Sequence, residues 1–553
     1  MGLCKSDKPQ QQGKEISTEP EEAGDDFNYP SGLKLAAIMA SVFIAMFLVA
    51  LDKLIIATVT PTITNEFHAS NQVGWYGTAY LLTNCSFLLV FGKLYTFLNV
   101  KNTFLFSVVL FEVGSAICGA APNSVAFIFG RAIAGLGAGG VQQGSLVLIV
   151  YAVPLAKRPQ YQGLFGAVYG ISSIIGPLVG GAFTSNVSWR WCFYINLPFG
   201  AVVFLFIFFL LHISSHAGSQ NSLSWKEKLE QLNIEGVLTL LPGVVCLCLA
   251  LEWGGFTYSW SNRRIVALLI IGIVLLIAFV LIQVWRQKTA MVPPHIFIQR
   301  SIFTGFWVSC MVGAHLTLMV YFLPIWFQTV KGSSPVQSGV HLFPMVISLV
   351  VSSITGGIGT TKIGYYTPFL LIGCCIASVG AGLLTLLKLE TTTGQWIGYQ
   401  IVYGFGLGLC FQAPNMAAQT VLPRNDVSIG ASLMLFGQTL FSAIFVSVGQ
   451  NVLDQHLASR LARISGINLT PNQIEASGIT GLFKIIPLQS HDAVLQAYDT
   501  SLRLVFVIVV VVTCLSILGG AGMEWRSVKK EGEKQEGAAK KEIPTTPTTP
   551  TVV

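Results

Sequence analysis

Charge is what this chain has least of. Of its 553 residues only 10% are Asp, Glu, Lys or Arg, against 53% hydrophobic, whereas a soluble globular chain is about 25% charged. With a mean hydropathy of +0.66, this composition calls for a bilayer as solvent. Also missing are a G-x-x-x-x-G-K-[ST] loop, a G-x-S-x-G nucleophile elbow and any Cys/His set at ligand spacing. Nothing therefore suggests ATP use, a hydrolase or a zinc site, and no cofactor is expected. Cysteine is present without making a disulfide framework. Ten of the eleven lie in apolar stretches, Cys374 and Cys375 side by side, and only Cys4 in a polar one. The net charge of +7 is scattered singly between apolar runs, which argues against nucleic acid as a partner. No cleaved signal peptide is expected, because residues 1–30 are polar and the first apolar run is too long for an h-region.

What remains is a succession of apolar runs. A span needs about 20 apolar residues, and fourteen segments qualify: 34–60, 72–97, 102–121, 124–150, 161–184, 190–212, 232–252, 264–285, 302–330, 338–360, 365–388, 394–421, 429–454 and 501–523. The expected class is an all-α polytopic membrane protein with both termini on one side. Lys93, Lys101, Lys157, Arg158, Arg286 and Arg300 fall on that side, against Arg263, Arg264, Lys331 and Lys388 on the other; the positive-inside rule makes it the cytoplasm. Residues 1–33 and 524–553 read as disordered cytoplasmic ends, and "SLSWKEKLEQL" within 213–231 as an amphipathic helix on the cytoplasmic interface. The longest external loop, 455–500, carries the glycosylation sequon at Asn468. The start "MGLCKS" fits myristoylation at Gly2 and palmitoylation at Cys4, with chance as the alternative.

Against this background each polar residue inside a span needs a reason. "FLVALDKLIIATVTP", 47–61, places Asp52 and Lys53 in the first span. Asp52 lies 18 residues beyond Lys34, about 27 Å along a helix, and a carboxylate there should face the protein interior. It either carries a proton, with Arg131 as its charge partner, or serves as a cap or interfacial partner of Lys53. Glu112 is a second titrating candidate or a packed carboxyl. Asn84, Gln412, Gln419 and His315 are candidates for a cavity wall or for interhelical hydrogen bonds. "RAIAGLGAGG", 131–140, satisfies G-x-G-x-x-G but follows no strand, so Gly135 and Gly139 read as a close-packing helix face. "GISSIIGPLVGGAF", 170–183, offers a second such face through Gly176 and Gly180, with Pro177 bending the span.

Several of these stretches, in order, resemble one family. Gly176-Pro177-x-x-Gly180-Gly181 resembles the antiporter motif of the major facilitator superfamily, and Arg131-x-x-x-Gly135 its span-4 motif. "LDKLIIATVTPTI", "FEVGSAICGAAP", "WRWCFYINLPFG", "VPPHIF" and "VKGSSPVQSGVHLFP" are similar to its fourteen-span drug:proton antiporter branch, and to fungal toxin and secondary-metabolite efflux pumps in particular. The resemblance runs from about residue 34 to 523. It implies two six-helix bundles, 34–212 and 286–523, with two extra helices over 232–285 between them. It also implies a midplane substrate site, alternating access, and proton coupling through Asp52, Arg131 and Glu112. The loop after span 2 departs from the family pattern, keeping Gly92 and Lys101 as its inner-gate residues. The expected activity is export of a small lipophilic or amphipathic compound by a monomer in the plasma membrane, driven by protons. Import of a siderophore or of a vacuolar basic amino acid, and a receptor or channel, remain as alternatives.

Overall fold

A computed structural model of the chain describes residues 29–69, 72–211, 231–255, 258–287, 289–464 and 490–541. The lipidation pattern, all but the last residue of the expected interfacial helix, and Asn468 lie outside the described residues. Fourteen long helices follow one another: α1 (Gly32–Phe67), α2 (Val73–Phe97), α3 (Val100–Ala120), α4 (Ser124–Ala152), α5 (Arg158–Asn186), α6 (Asn196–Leu210), α7 (Ile234–Trp253), α8 (Arg263–Trp285), α9 (Arg300–Thr329), α10 (Phe343–Ile363), α11 (Thr367–Leu384), α12 (Thr393–Phe411), α13 (Val427–Leu461) and α14 (His491–Gly522). A short helix, Ala413–Val421, continues α12 after a break at Gln412. Twelve candidate membrane spans satisfy both length and hydropathy; α2 and α12 with its continuation occupy the other two segments read from the sequence. In hydrocarbon a backbone can satisfy its polar groups only internally, so the apolar runs become helices. Polar residues finish them at the rims. The Asn123 side chain accepts from Ala126 N at 2.9 Å to start α4, and Gly364 at φ +89° closes α10.

The helices pack as a repeat. In the first bundle α1 meets α5 and α6, α2 meets α4, and α3 meets α4 and α6. Adding eight to each label gives pairs that also touch: α9 with α13 and α14, α10 with α12, α11 with α12 and α14. The seam obeys the same rule, since α2 packs on α13 and α5 on α10. The two inserted helices, α7 and α8, pack on each other, and α7 leans on α2 and α13. Two extra spans thus flank one side of the seam without breaking the repeat.

Close approach depends on glycine. Gly135 and Gly139 of α4 face α2, at Tyr80 and Asn84, while Gly137 faces the backbone of α3 at Phe111. Gly176 and Gly180 of α5 face α1 at Leu54, Ile55 and Thr58, whereas Gly181 has open space where a side chain would go.

Hydrogen bonds crossing the seam gather at the end where α1 begins, termed here the basic end. Gln143 Nε2 donates to Ser428 O at 2.7 Å, Ser428 Oγ to Gly92 O at 2.8 Å, and Ser353 Oγ to Gly163 O at 2.9 Å. Two boundaries differ from the sequence reading. α13 runs on to Leu461 and α14 starts at His491, so the long external connection is shorter than 455–500. The tail is not wholly disordered either: α15 (Val528–Lys541) is helical. It is anchored by Val528 N donating to Gly364 O at 2.8 Å, and Val528 is buried in one cluster with Leu155 from the α4–α5 connection. A polar sequence read as solvated chain instead finds an apolar foothold.

The packing predicts opposite outcomes for neighbouring glycines. Gly180→Val should force α1 and α5 apart and cost about 1–3 kcal/mol, the usual range for overpacking, lowering the unfolding temperature of the purified protein. Gly181→Ala should leave it unchanged.

Candidate functional site

The carboxylate that the sequence places in the first span is fully buried, and so is its partner. Arg131 Nη1 lies 2.6 Å from Asp52 Oδ2, the two side chains being 1% and 0% exposed. α4 begins at the far end from α1, so the two residues approach from antiparallel helices at similar depth. The guanidinium has other holds. Arg131 Nε donates to Tyr76 O at 3.0 Å, and its plane lies 4.4 Å from the Tyr80 ring centroid and 5.8 Å from that of Phe193. On the other side Asn196 Nδ2 donates to Asp52 Oδ1 at 3.5 Å and to Ser115 Oγ at 3.1 Å. Asn196 Oδ1 is buried without a partner. Five elements, α1, α2, α3, α4 and the start of α6, thus converge on one carboxylate.

This arrangement has a definite chemistry. Asn196 can donate to an ionised Asp52, and its idle Oδ1 can accept an O–H from a protonated one. Arg131 keeps a carbonyl and two aromatic faces when the carboxylate charge disappears. Breaking a buried ion pair ordinarily strands a charge at a cost of several kcal/mol; here both partners have a fallback.

The other expected residues fall into separate places. Glu112 is one turn from Ser115 but turns toward Gly200 of α6, its carboxylate oxygens buried without a hydrogen bond. It is not joined to Asp52. Asn84 Nδ2 donates to Gln142 Oε1 at 3.4 Å across α2 and α4. Gln412 lines a crevice with Gly163 and Ser353 on the seam. Gln419 is fully buried and lies beyond the helix break at Gln412. His315 makes an interhelical hydrogen bond. It is fully buried between α9 and α12, with Nδ1 2.8 Å from the Tyr403 hydroxyl. Lys101 Nζ donates to Phe208 O at 2.6 Å, capping α6 within its own bundle. Gly92 does sit in the seam.

Sequence reasoning missed the residues that serve these. Asn196 stands inside "WRWCFYINLPFG", where an amide in an apolar run was the available signal. In the same stretch Arg190 Nη2 meets Glu66 Oε1 at 2.7 Å and Trp189 Nε1 donates to Glu66 Oε2 at 2.5 Å, tying down the outer end of α1. At the basic end Asp426 opens α13 near Lys93 and His295. Burial pushes the Asp426 carboxyl up from its usual range while those two cations pull it back.

Residues 42–446 match the family described as Major Facilitator Superfamily. The chain is 49% identical over 501 residues to an MFS-type transporter of Claviceps purpurea, covering 91% of this chain and 87% of that one. It is 44% identical to a rubrofusarin-specific efflux pump, aurT, of Gibberella zeae, covering 91% of this chain and 92% of the pump. Among solved structures it is similar to the human organic anion transporter MFSD10 (TETRAN), with a TM-score of 0.56 over 87% of this chain and all of that one. At 13% identity that likeness speaks to the fold alone.

The buried pair predicts non-additive stability. Arg131→Met leaves a buried carboxylate unpaired and should cost about 3–5 kcal/mol. Combining it with Asp52→Leu should recover most of the loss in thermal unfolding of the purified protein. A double variant no more stable than the single one would show that the pair does not hold α1 to α4.

Proposed function

The chain belongs to the Major Facilitator Superfamily, and from that premise we propose that it is a proton-coupled exporter of a small lipophilic or amphipathic organic compound. Its place would be the plasma membrane and its working form a monomer. The curated relatives support export, one of them being named for its cargo, rubrofusarin. The observation that carries proton coupling is the fully buried Asp52–Arg131 pair with its unpartnered Asn196 Oδ1.

In the proposed cycle the basic end is cytoplasmic. The seam bonds at Gln143, Ser428 and Ser353 close that end, and cargo leaves toward the opposite side. A proton from outside then neutralises Asp52, whose O–H is taken by Asn196 Oδ1 while Arg131 stays on Tyr76 and Tyr80. The weakened tie between α1 and α4 lets the bundles rock, the seam bonds part, and the proton is released inward as Arg131 reclaims the carboxylate. Cargo entering the opened cavity resets the cycle.

One proton suffices energetically. A potential of 100 mV is worth about 2.3 kcal/mol per charge and one pH unit about 1.4. Together, about 3.7 kcal/mol holds a neutral solute at a gradient of several hundred-fold. No cofactor enters this scheme; the proton gradient supplies the energy.

Asp52→Asn should abolish export driven by an imposed pH gradient in vesicles containing the purified protein, without lowering the amount of folded protein. A protonophore should do the same to the wild type. Gradient-driven export that survives the substitution would remove Asp52 from the proton path.

A further inference from the structure

The residue next to Asp52 is a second charge inside the same span, and it is used differently. Lys53 makes no hydrogen bond or ion pair among the described residues, and it is partly exposed where Asp52 is sealed. α1 is flanked by α2, α4, α5 and α6. On the face left over stands Lys53, with exposed Ala57 one turn further on. The ammonium lies within electrostatic reach of Cys85 of α2, which is buried in the apolar seam cluster with residues of α7 and α13. It therefore turns inward between the bundles rather than out to lipid. None of the surrounding acids pairs with it: Asp52 is bonded to Arg131, Glu66 to Arg190 and Trp189, Glu252 lies against Gly74 and Thr78 of α2, and Glu112 turns toward Gly200 of α6.

An ionisable group inside a span is costly and ordinarily has a partner. We propose that the missing partner of Lys53 is the cargo: the compound bears an ionised acid, a carboxylate or phenolate, on an apolar aromatic or aliphatic body. Asp52 is neutralised locally, so Lys53 leaves the inter-bundle space with a net positive charge. A lysine presents this as a mobile point charge that takes an acid in many orientations. Aromatic surface is available across the seam, where the Tyr169 ring of α5 lies 6.1 Å from that of Phe411 of α12. An anionic cargo also leaves the cell down the membrane potential, so the imported proton is not its only drive. This inference deepens the export reading above and rests on it.

The test uses the purified full chain in nanodiscs of neutral lipid, with 9-anthracenecarboxylate and its methyl ester as probes. Wild type should bind the acid about tenfold more tightly than the ester or better, the size of one charge-assisted contact. Lys53→Met and Lys53→Gln should each bring the two affinities together by weakening the acid alone, with ester binding reporting that the variants are folded. Lys53→Arg should keep the preference. Equal affinities in wild type, or an unchanged ratio in Lys53→Met, would overturn the proposal. Adding phosphatidylserine separates cargo from lipid: loss of the acid preference would assign Lys53 to a headgroup and overturn it as well. Ester export under a pH gradient, measured in parallel in vesicles, reports on proton coupling alone. Its failure would sink the coupling reading while the affinity ratio still decides the role of Lys53.

Discussion

A guanidinium and a carboxylate removed from both water and lipid hold α1 against α4, and the rest of the first bundle is arranged around keeping them satisfied. An ion pair of this kind is a poor source of net stability, because desolvating both charges offsets most of their attraction. Its value lies in the asymmetry between its states. Ionised, Asp52 fixes the two helices. Protonated, it releases one strong contact without stranding Arg131, because Tyr76, Tyr80 and Phe193 still hold the guanidinium. A link that can be undone by one proton at modest cost is what a rocking transporter needs at the joint between helices that must shift.

The repeat makes the meaning of this joint sharper. Adding eight to α1 and α4 gives α9 and α12, and there too a polar pair spans the contact: His315 and Tyr403, joined through Nδ1 and the hydroxyl and again through Tyr403 donating to His315 O. The second half joins these two helices by a doubly bonded aromatic pair instead. In the proposed cycle the proton acts within the first bundle, and the second is the body it moves against. The inserted α7 and α8 respect that division, lying on the flank of the seam.

Much of this was legible in the sequence because hydrocarbon is an unforgiving solvent. Apolar runs of span length become helices with few alternatives, so the fourteen segments could be read from composition, and a carboxylate among them had to have a partner, which made Asp52 and Arg131 visible as a pair. What a residue touches was less legible. Gln143 and Ser428 look like ordinary polar residues at helix positions, yet they form the seam, because their role depends on which helices of the two halves meet. His315 looks like a site residue until the fold wraps it between α9 and α12. The tail over 528–541 is polar enough to read as disordered, and its helix rests on a foothold at Leu155 and Gly364. Gly176 and Gly180 were readable as a packing face, though not that their partner is the very turn of α1 just beyond Asp52.

That last contact connects the charges to the motion. Gly176 sits against Leu54, two residues beyond Asp52, and Gly180 against Ile55 and Thr58. The α5 stripe therefore grips α1 on the side away from the ion pair. Helices this close can slide along a smooth glycine face, whereas side chains interlocked across them would resist. Any displacement of α1 when Asp52 changes state is then guided along α5, and α5 itself meets α10 of the other bundle. Since Ser353 Oγ of α10 is bonded to Gly163 O near the start of α5, the helix that guides α1 also carries part of the seam. In the proposed cycle, the route from a proton on Asp52 to the opening of the basic end is carried by two packed contacts, α1 on α5 and α5 on α10.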